Sequence, residues 1–174
     1  MPTIRAVTVT ALPLAEKPLL DRLLQLYLHD FSDFAELGTT YAEVDDAGIF
    51  PYPPGTDDYW RQDGNMPLLI RADGRTAGFA LVNRWSPLDR AVEHALAEFF
   101  VLRKYRRAGI GRRAALQIFD RYPGRWELGV ASYNHAALSF WRSVATALPG
   151  STEAVGDGSR WRGTVLCFTA EPAP

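Results

Sequence analysis

Cysteine is nearly missing from this chain: 174 residues hold one, Cys167, so no internal disulfide can form. That usage fits a reducing compartment, and the expectation is a cytoplasmic protein. Cys167 lies in an apolar strand pattern (164–169) and reads as core, not as a nucleophile. No apolar run approaches the ~20 residues that span a bilayer, and the first residues show no signal-peptide pattern, so no membrane partner is expected. The histidines, His29, His94 and His135, stand at no metal-ligand spacing, which removes a metal centre from the expectations. An excess of either charge is lacking too. The net charge of −1 argues against nucleic acid as the main partner. Repeats and low-complexity tracts are absent.

Apolar residues are abundant. The chain is 47% hydrophobic, with five Trp, seven Tyr and nine Phe, which excludes a disordered protein. Its length predicts one globular domain with ample core, residues 1–170, followed by a frayed tail at 171–174. The small net charge hides an asymmetry. Residues 1–97 carry 14 acids against 8 bases, and residues 98–174 carry 6 acids against 11 bases. Such a split suits a protein that grips an anionic cofactor with its second half and admits a cationic substrate along its first; chance surface charge would also produce it.

The stretch from Ala95 to Tyr122 organises the rest. An apolar strand (95–102) leads to a cationic loop, Arg103-Lys104-Tyr105-Arg106-Arg107-Ala108, and Gly109-Ile110-Gly111 opens a helix. Ile110, Ala114, Ala115, Ile118 and Phe119 form one stripe of a 3.6-residue period, and Pro123-Gly124 closes it. A helix start leaves its first N–H groups unpaired and carries the positive end of the macrodipole. With glycines there and Arg106, Arg107, Arg112 and Arg113 around it, the corner suits a phosphate ligand. A solvated arginine face is the plain reading. A dinucleotide fold is another, since Gly109-x-Gly111-x-x-Ala114 fits G-x-G-x-x-G/A. Against the latter, six mostly charged residues separate strand from glycines, and no acid ends the next strand, 126–130. The phosphate-loop pattern ending in Gly-Lys-Ser/Thr does not occur.

Val101-x-x-x-x-Arg106-x-x-Gly109-x-Gly111 resembles the acyl-CoA signature of the GNAT superfamily of N-acyltransferases. After a helix and a short strand (126–130), Asn134-x-x-Ala137-x-x-Phe140-Trp141 resembles that family's second helix start. The two motifs, in this order and spacing, cover about residues 95–145. The resemblance implies an α/β (α+β) fold with a mixed, mostly antiparallel sheet of about six to seven strands flanked by about four helices. It implies acetyl-CoA as cofactor, the backbone of Phe99, Phe100 and Val101 on the carbonyl and pantetheine arm, and the amides of Arg106, Arg107, Ala108, Gly109, Ile110, Gly111 and Arg112 on the pyrophosphate. It also places Asn134 against the cofactor arm, where asparagine equally serves as a helix N-cap.

Taken in order, the remaining pattern predicts a strand over 3–10, a helix over 16–36 ended by Gly38, and a long loop over 39–67 with a short helical turn from Thr56. A hairpin around Asp73-Gly74 joins strands 68–71 and 76–85, and a second hairpin (151–155 and 160–169) closes the chain after a helix at about 134–147.

N-acylation needs a neutral amine, whereas alkyl amines sit near pKa ~10. Glu98, the lone carboxylate of its apolar strand, is the candidate base, since burial raises a carboxylate's pKa; a surface-facing glutamate is the bland alternative. Glu93 and His94 are weaker candidates. Where many family members carry a tyrosine as general acid this chain has Trp141, whose indole is no practical acid; Tyr133 could deputise. Asp30, Asp33 and Glu36, with Asp45, Asp46, Asp57, Asp58, Tyr52 and Trp60 of the loop from Tyr41, would suit a cationic small-molecule or peptide amine, though a solvated acidic face reads as well. The reading is an N-acetyltransferase using direct attack in a ternary complex, as a monomer or homodimer. A sensor or scaffold that binds acyl-CoA without turnover is the alternative on the same fold.

Overall fold

The computed structural model describes residues 4–35, 42–51 and 56–171. Seven strands form one sheet in the order β1-β2-β3-β4-β5-β7-β6: β1 Val7–Ala11, β2 Met66–Ala72, β3 Arg75–Asn83, β4 His94–Val101, β5 Gly124–Ala131, β6 Thr152–Val155 and β7 Gly163–Ala170. Every neighbouring pair is antiparallel except β4 with β5. The β2–β3 turn is Asp73-Gly74, both at positive φ (47° and 78°), the conformation that a two-residue hairpin demands.

Three α-helices stand among the described residues: α1 Lys17–Ser32, α2 Ile110–Arg121 and α3 His135–Ala145. The fourth expected helix is instead a five-residue 3-10 turn, Thr56–Trp60, which stops when the Asp58 carbonyl accepts both the Arg61 and Gln62 amides. Helix α1 ends at Ser32, short of the predicted limit; Glu36, Gly38, Tyr41, Tyr52 and residues 172–174 of the tail lie outside the described residues. No helix among the described residues is long and apolar enough to cross a membrane.

The helices divide between the two faces of the sheet. Ala115, Ile118 and Phe119 of α2 and Trp141 and Val144 of α3 pack on Leu68, Ala80, Val82, Leu96 and Trp126. On the other face, Leu20, Leu23 and Leu24 of α1 meet Leu69, Phe79, Leu81 and Phe100. Beyond α1 that same face is covered over β5 and β7 by the β3–β4 connection and by Trp161. The β3–β4 register contains a bulge: Leu81 pairs with Glu98 but Val82 pairs with Leu96, so Ala97 is an extra residue in β4. Because paired residues share a face, Ala95 (opposite Asn83) and Glu98 (opposite Leu81) both point to the α1 face.

Candidate functional site

Strands β4 and β5 stay paired only at His94–Trp126 and Ala95–Glu127. From Leu96 onward β4 pairs with β3 alone, and from Leu128 onward β5 pairs with β7 alone. The strands therefore part, and the β4 backbone groups that point toward β5 have no ladder partner between Leu96 and Val101. Phe99, Phe100 and Val101 all lie on this parted edge. Phe99 turns to the α2/α3 face, with ring centroids 5.0 Å from Trp141 and 6.0 Å from Phe140. Phe100 turns to the α1 face.

Past Val101 the chain makes a 3-10 turn (Arg103–Tyr105) and then two left-handed residues, Arg107 (φ 59°) and Gly109 (φ 73°), before α2 begins. A non-glycine residue at positive φ costs on the order of 1–3 kcal/mol, and such residues collect at functional loops. The first helical bond runs from the Arg113 amide to the Gly109 carbonyl at 3.0 Å. Among the described residues no amide from Arg107 through Arg112 has an acceptor, so Arg107, Ala108, Gly109, Ile110, Gly111 and Arg112 present bare N–H groups in one short bend. A Cβ added at Gly109 would meet nothing within 4 Å, so the space over the bend is open. Tyr105 and Ile110, both buried, anchor it on either side.

The arginines of this corner divide into two kinds. Arg106 clamps the loop: its Nε donates to the Val101 carbonyl at 2.7 Å, its Nη2 pairs with Asp30 of α1, and its guanidinium lies over the Phe100 ring. Its amide is engaged as well, donating to the Arg103 carbonyl at 3.2 Å, so the free donors begin at Arg107. Arg113 ties down the N-terminal segment through the carbonyls of Ile4 and Arg5. Arg107 and Arg112 are exposed and have no partner among the described residues. Bare amides at a helix start with two unengaged guanidinium groups fit a diphosphate, and the slot between β4 and β5 fits an extended amide-bearing chain.

Glu98 is half-buried on the α1 face, where the Tyr27 hydroxyl of α1 donates to its carboxylate. Tyr59 stands close by: burial, helped by the Glu98 charge, pushes its phenol up to about 12 against the opposing hydrogen bond from Asn83 Nδ2 (3.1 Å). Tyr27, Tyr59 and Asn83 were not singled out by the sequence reading, because their separation from Glu98 along the chain leaves no local pattern. Glu93 and His94 sit at the closed end of β4, about 13 Å of strand from Glu98. Glu93 is bound to Arg125, whose hydrogen bonds hold its carboxyl down at about 2, and burial lowers His94 below the usual imidazole range. Neither reaches the parted edge.

Asn134 caps α3, its Oδ1 accepting the Ala137 amide at 3.0 Å, at the mouth of the slot. Trp141 is buried among Phe99, Phe119 and Phe140 and offers no acid. Tyr133 is half-exposed beside Asn134, its ring 5.4 Å from Phe34. Cys167 faces Arg90 on β7, and burial raises its thiol, so it stays a thiol rather than a nucleophile.

A family model described as the acetyltransferase (GNAT) family matches residues 20–145. No curated protein sequence matches the chain. Among solved structures it is similar to an acetyltransferase of the GNAT family from Staphylococcus aureus Mu50, at 15% identity and TM-score 0.63 over 95% of this chain and 100% of that one. It is similar to the ribosomal-protein-S18-alanine N-acetyltransferase of Escherichia coli, at 16% identity and TM-score 0.57 over 97% of each chain. A third is spermidine N-acetyltransferase from Vibrio cholerae in complex with CoA and spermine, at 11% identity and TM-score 0.60 over 94% of this chain and 95% of that one.

Proposed function

Since the chain belongs to the GNAT family of acetyltransferases, enzymes that use acetyl-CoA as donor, we propose that it transfers acetyl to a primary amine by direct attack in a ternary complex. The observation that carries this reading is the parted β4 edge, which runs into a bend of bare amides on one side and past Glu98 on the other. The donor, when bound, supplies an acetyl group already activated as a thioester. The amides from Arg107 to Arg112 and the guanidinium groups of Arg107 and Arg112 hold its diphosphate. The unpaired backbone of Phe99, Phe100 and Val101 orients its arm, and Asn134 stiffens the mouth by capping α3.

On the opposite face Glu98 takes the proton from the acceptor ammonium, because only the free amine has a lone pair to offer. Tyr27 fixes the carboxylate from α1 through its hydroxyl. As the new C–N bond forms, the thioester C–S bond would break, and with no proton donor at Trp141 the sulfur would depart as the thiolate; Cys167 lies opposite Glu127, away from the slot, so no acyl-enzyme forms. The named relatives act on a ribosomal-protein alanine and on spermidine, both amines, which supports an amine acceptor here.

Glu98→Gln tests the assignment. Loss of general base catalysis lowers kcat/KM by about 10²-fold or more near neutral pH, while calorimetry gives an unchanged Kd for CoA. Full turnover by the variant removes Glu98 from the reaction.

A further inference from the structure

We propose that the acceptor is a monoamine borne on an aromatic body, held in the groove beside Glu98, in preference to a polycation. This rests on the acetyl-transfer reading above and names the substrate class of the same site.

Rings line both flanks of the groove. Along α1, Tyr27 contacts Phe31 (centroids 4.6 Å), Phe31 contacts Phe34 (5.6 Å), and Phe34 reaches Tyr133 beside the mouth of the slot (5.4 Å). That row starts at Glu98, to which Tyr27 is bonded. On the other flank, Asn83 joins Tyr59 to the backbone of Trp85, and Trp85 meets Trp161 edge-on at 6.4 Å. Trp161 lies flat against Gly129, where an added Cβ would come within 2.6 Å of the indole. Gly129 shares the α1 face and belongs to the part of β5 that has left β4. The two flanks thus face one another across the parted strands.

Exposure points the same way. Three large aromatic side chains are exposed among the described residues, Phe34 (43%), Trp85 (45%) and Tyr133 (47%), and all three border this groove. Rings gathered in the open around a carboxylate are a surface that a flat apolar ligand would cover.

A polycation would need several carboxylates, and four of those offered by this half of the chain, Asp30, Asp33, Asp45 and Asp57, are engaged. Asp30 pairs with Arg103 and Arg106, and Asp33 with Arg103. Asp57 pairs with Lys17 and Arg61, while Asp45 accepts the amides of Ala47 and Ile49. The face of Trp85 already carries a cation, the Arg160 guanidinium 5.1 Å from the ring. One amine fits against Glu98; further positive charges meet arginines.

The test is calorimetry on CoA-loaded protein with tyramine, hexylamine and spermidine. Tyramine is expected to bind at least tenfold more tightly than either of the others, about 1.4 kcal/mol. Trp85→Ala is expected to shrink that margin to threefold or less, and Phe34→Ala serves as the second variant should Trp85→Ala fail to fold. Equal or tighter binding of spermidine or hexylamine overturns the proposal, as does an undiminished margin in whichever variant folds. Thiol release from acetyl-CoA is read separately. Tyramine bound tightly without thiol release upholds the groove and sinks the transfer reading, whereas thiol release ranked in favour of spermidine sinks the groove alone.

Discussion

Glu127 of β5 is wholly buried, and its carboxylate is held by two partners from the β3–β4 connection. The Ser86 hydroxyl donates to it at 2.7 Å, and Arg90 pairs with it through Nε. Ser86 is itself fixed by the Leu88 and Arg90 amides, each 3.1 Å from its hydroxyl oxygen. Replacing Arg90 with methionine keeps the stem but leaves a buried carboxylate with one donor. Breaking a buried pair in this way costs about 3–5 kcal/mol. The Arg90 side chain is 52% exposed, so water can reach the gap, and about 2–4 kcal/mol is the expected loss after that screening. Urea unfolding at neutral pH measures it. The double variant Arg90→Met/Glu127→Met removes both charges and should recover most of the loss, since an apolar pair of similar volume is often neutral. A single variant within 0.5 kcal/mol of the parent, or a double variant no better than the single, refutes the reasoning. Because Trp85 lies in this same connection, directly before Ser86, the single variant should also weaken the preference for aromatic amines.

Two other outcomes follow from the geometry. Gly109→Ala meets no steric obstacle, so its cost is the left-handed backbone alone, about 1–2 kcal/mol in urea unfolding; a roughly tenfold weaker Kd for CoA should accompany it as the bare amides lose their alignment. Tyr59, pushed up to about 12 chiefly by burial, stays neutral in the folded chain while the unfolded phenol ionises near 10. The stability it contributes is intact below pH 10 and is lost as pH rises toward 12, about 2–3 kcal/mol in all. An alkaline spectrophotometric titration should show one late-ionising tyrosine that disappears in Tyr59→Phe; absence of that late step in the parent removes the argument.

What could be read from the sequence was local. The strand–bend–helix unit at 95–122 is announced by an apolar run, two glycines and a helical stripe within a few turns, and the Asp73-Gly74 hairpin and the Asn134 cap are equally short-range. The partners of Glu98 were not legible, because Tyr27 lies 71 residues away and meets it only through tertiary packing. Glu98 and Glu127 give the same signal, one carboxylate in an apolar strand. Strand pairing separates them: Glu98 lies where β4 and β5 have parted, Glu127 where they are joined and an arginine closes over it. The arginine cluster likewise looked uniform in sequence, yet Arg106 and Arg113 are engaged by Asp30 and by Ile4 and Arg5, contacts 76 to 109 residues long. The Thr56 segment has first-turn acids that favour a helix but too few residues to continue one.

The single extra residue at Ala97 sets the parity of everything after it in β4. In a regular strand Ala95 and Glu98, three positions apart, would point to opposite sides; here they point to the same one. Were Ala97 instead drawn into the ladder as an ordinary paired residue, the register would slip by one and exchange the two faces downstream, sending Phe99 toward α1 and driving Glu98 in among Trp141 and Phe140. One alanine with almost no side chain thus decides which side of the molecule holds the charge and which holds the oil.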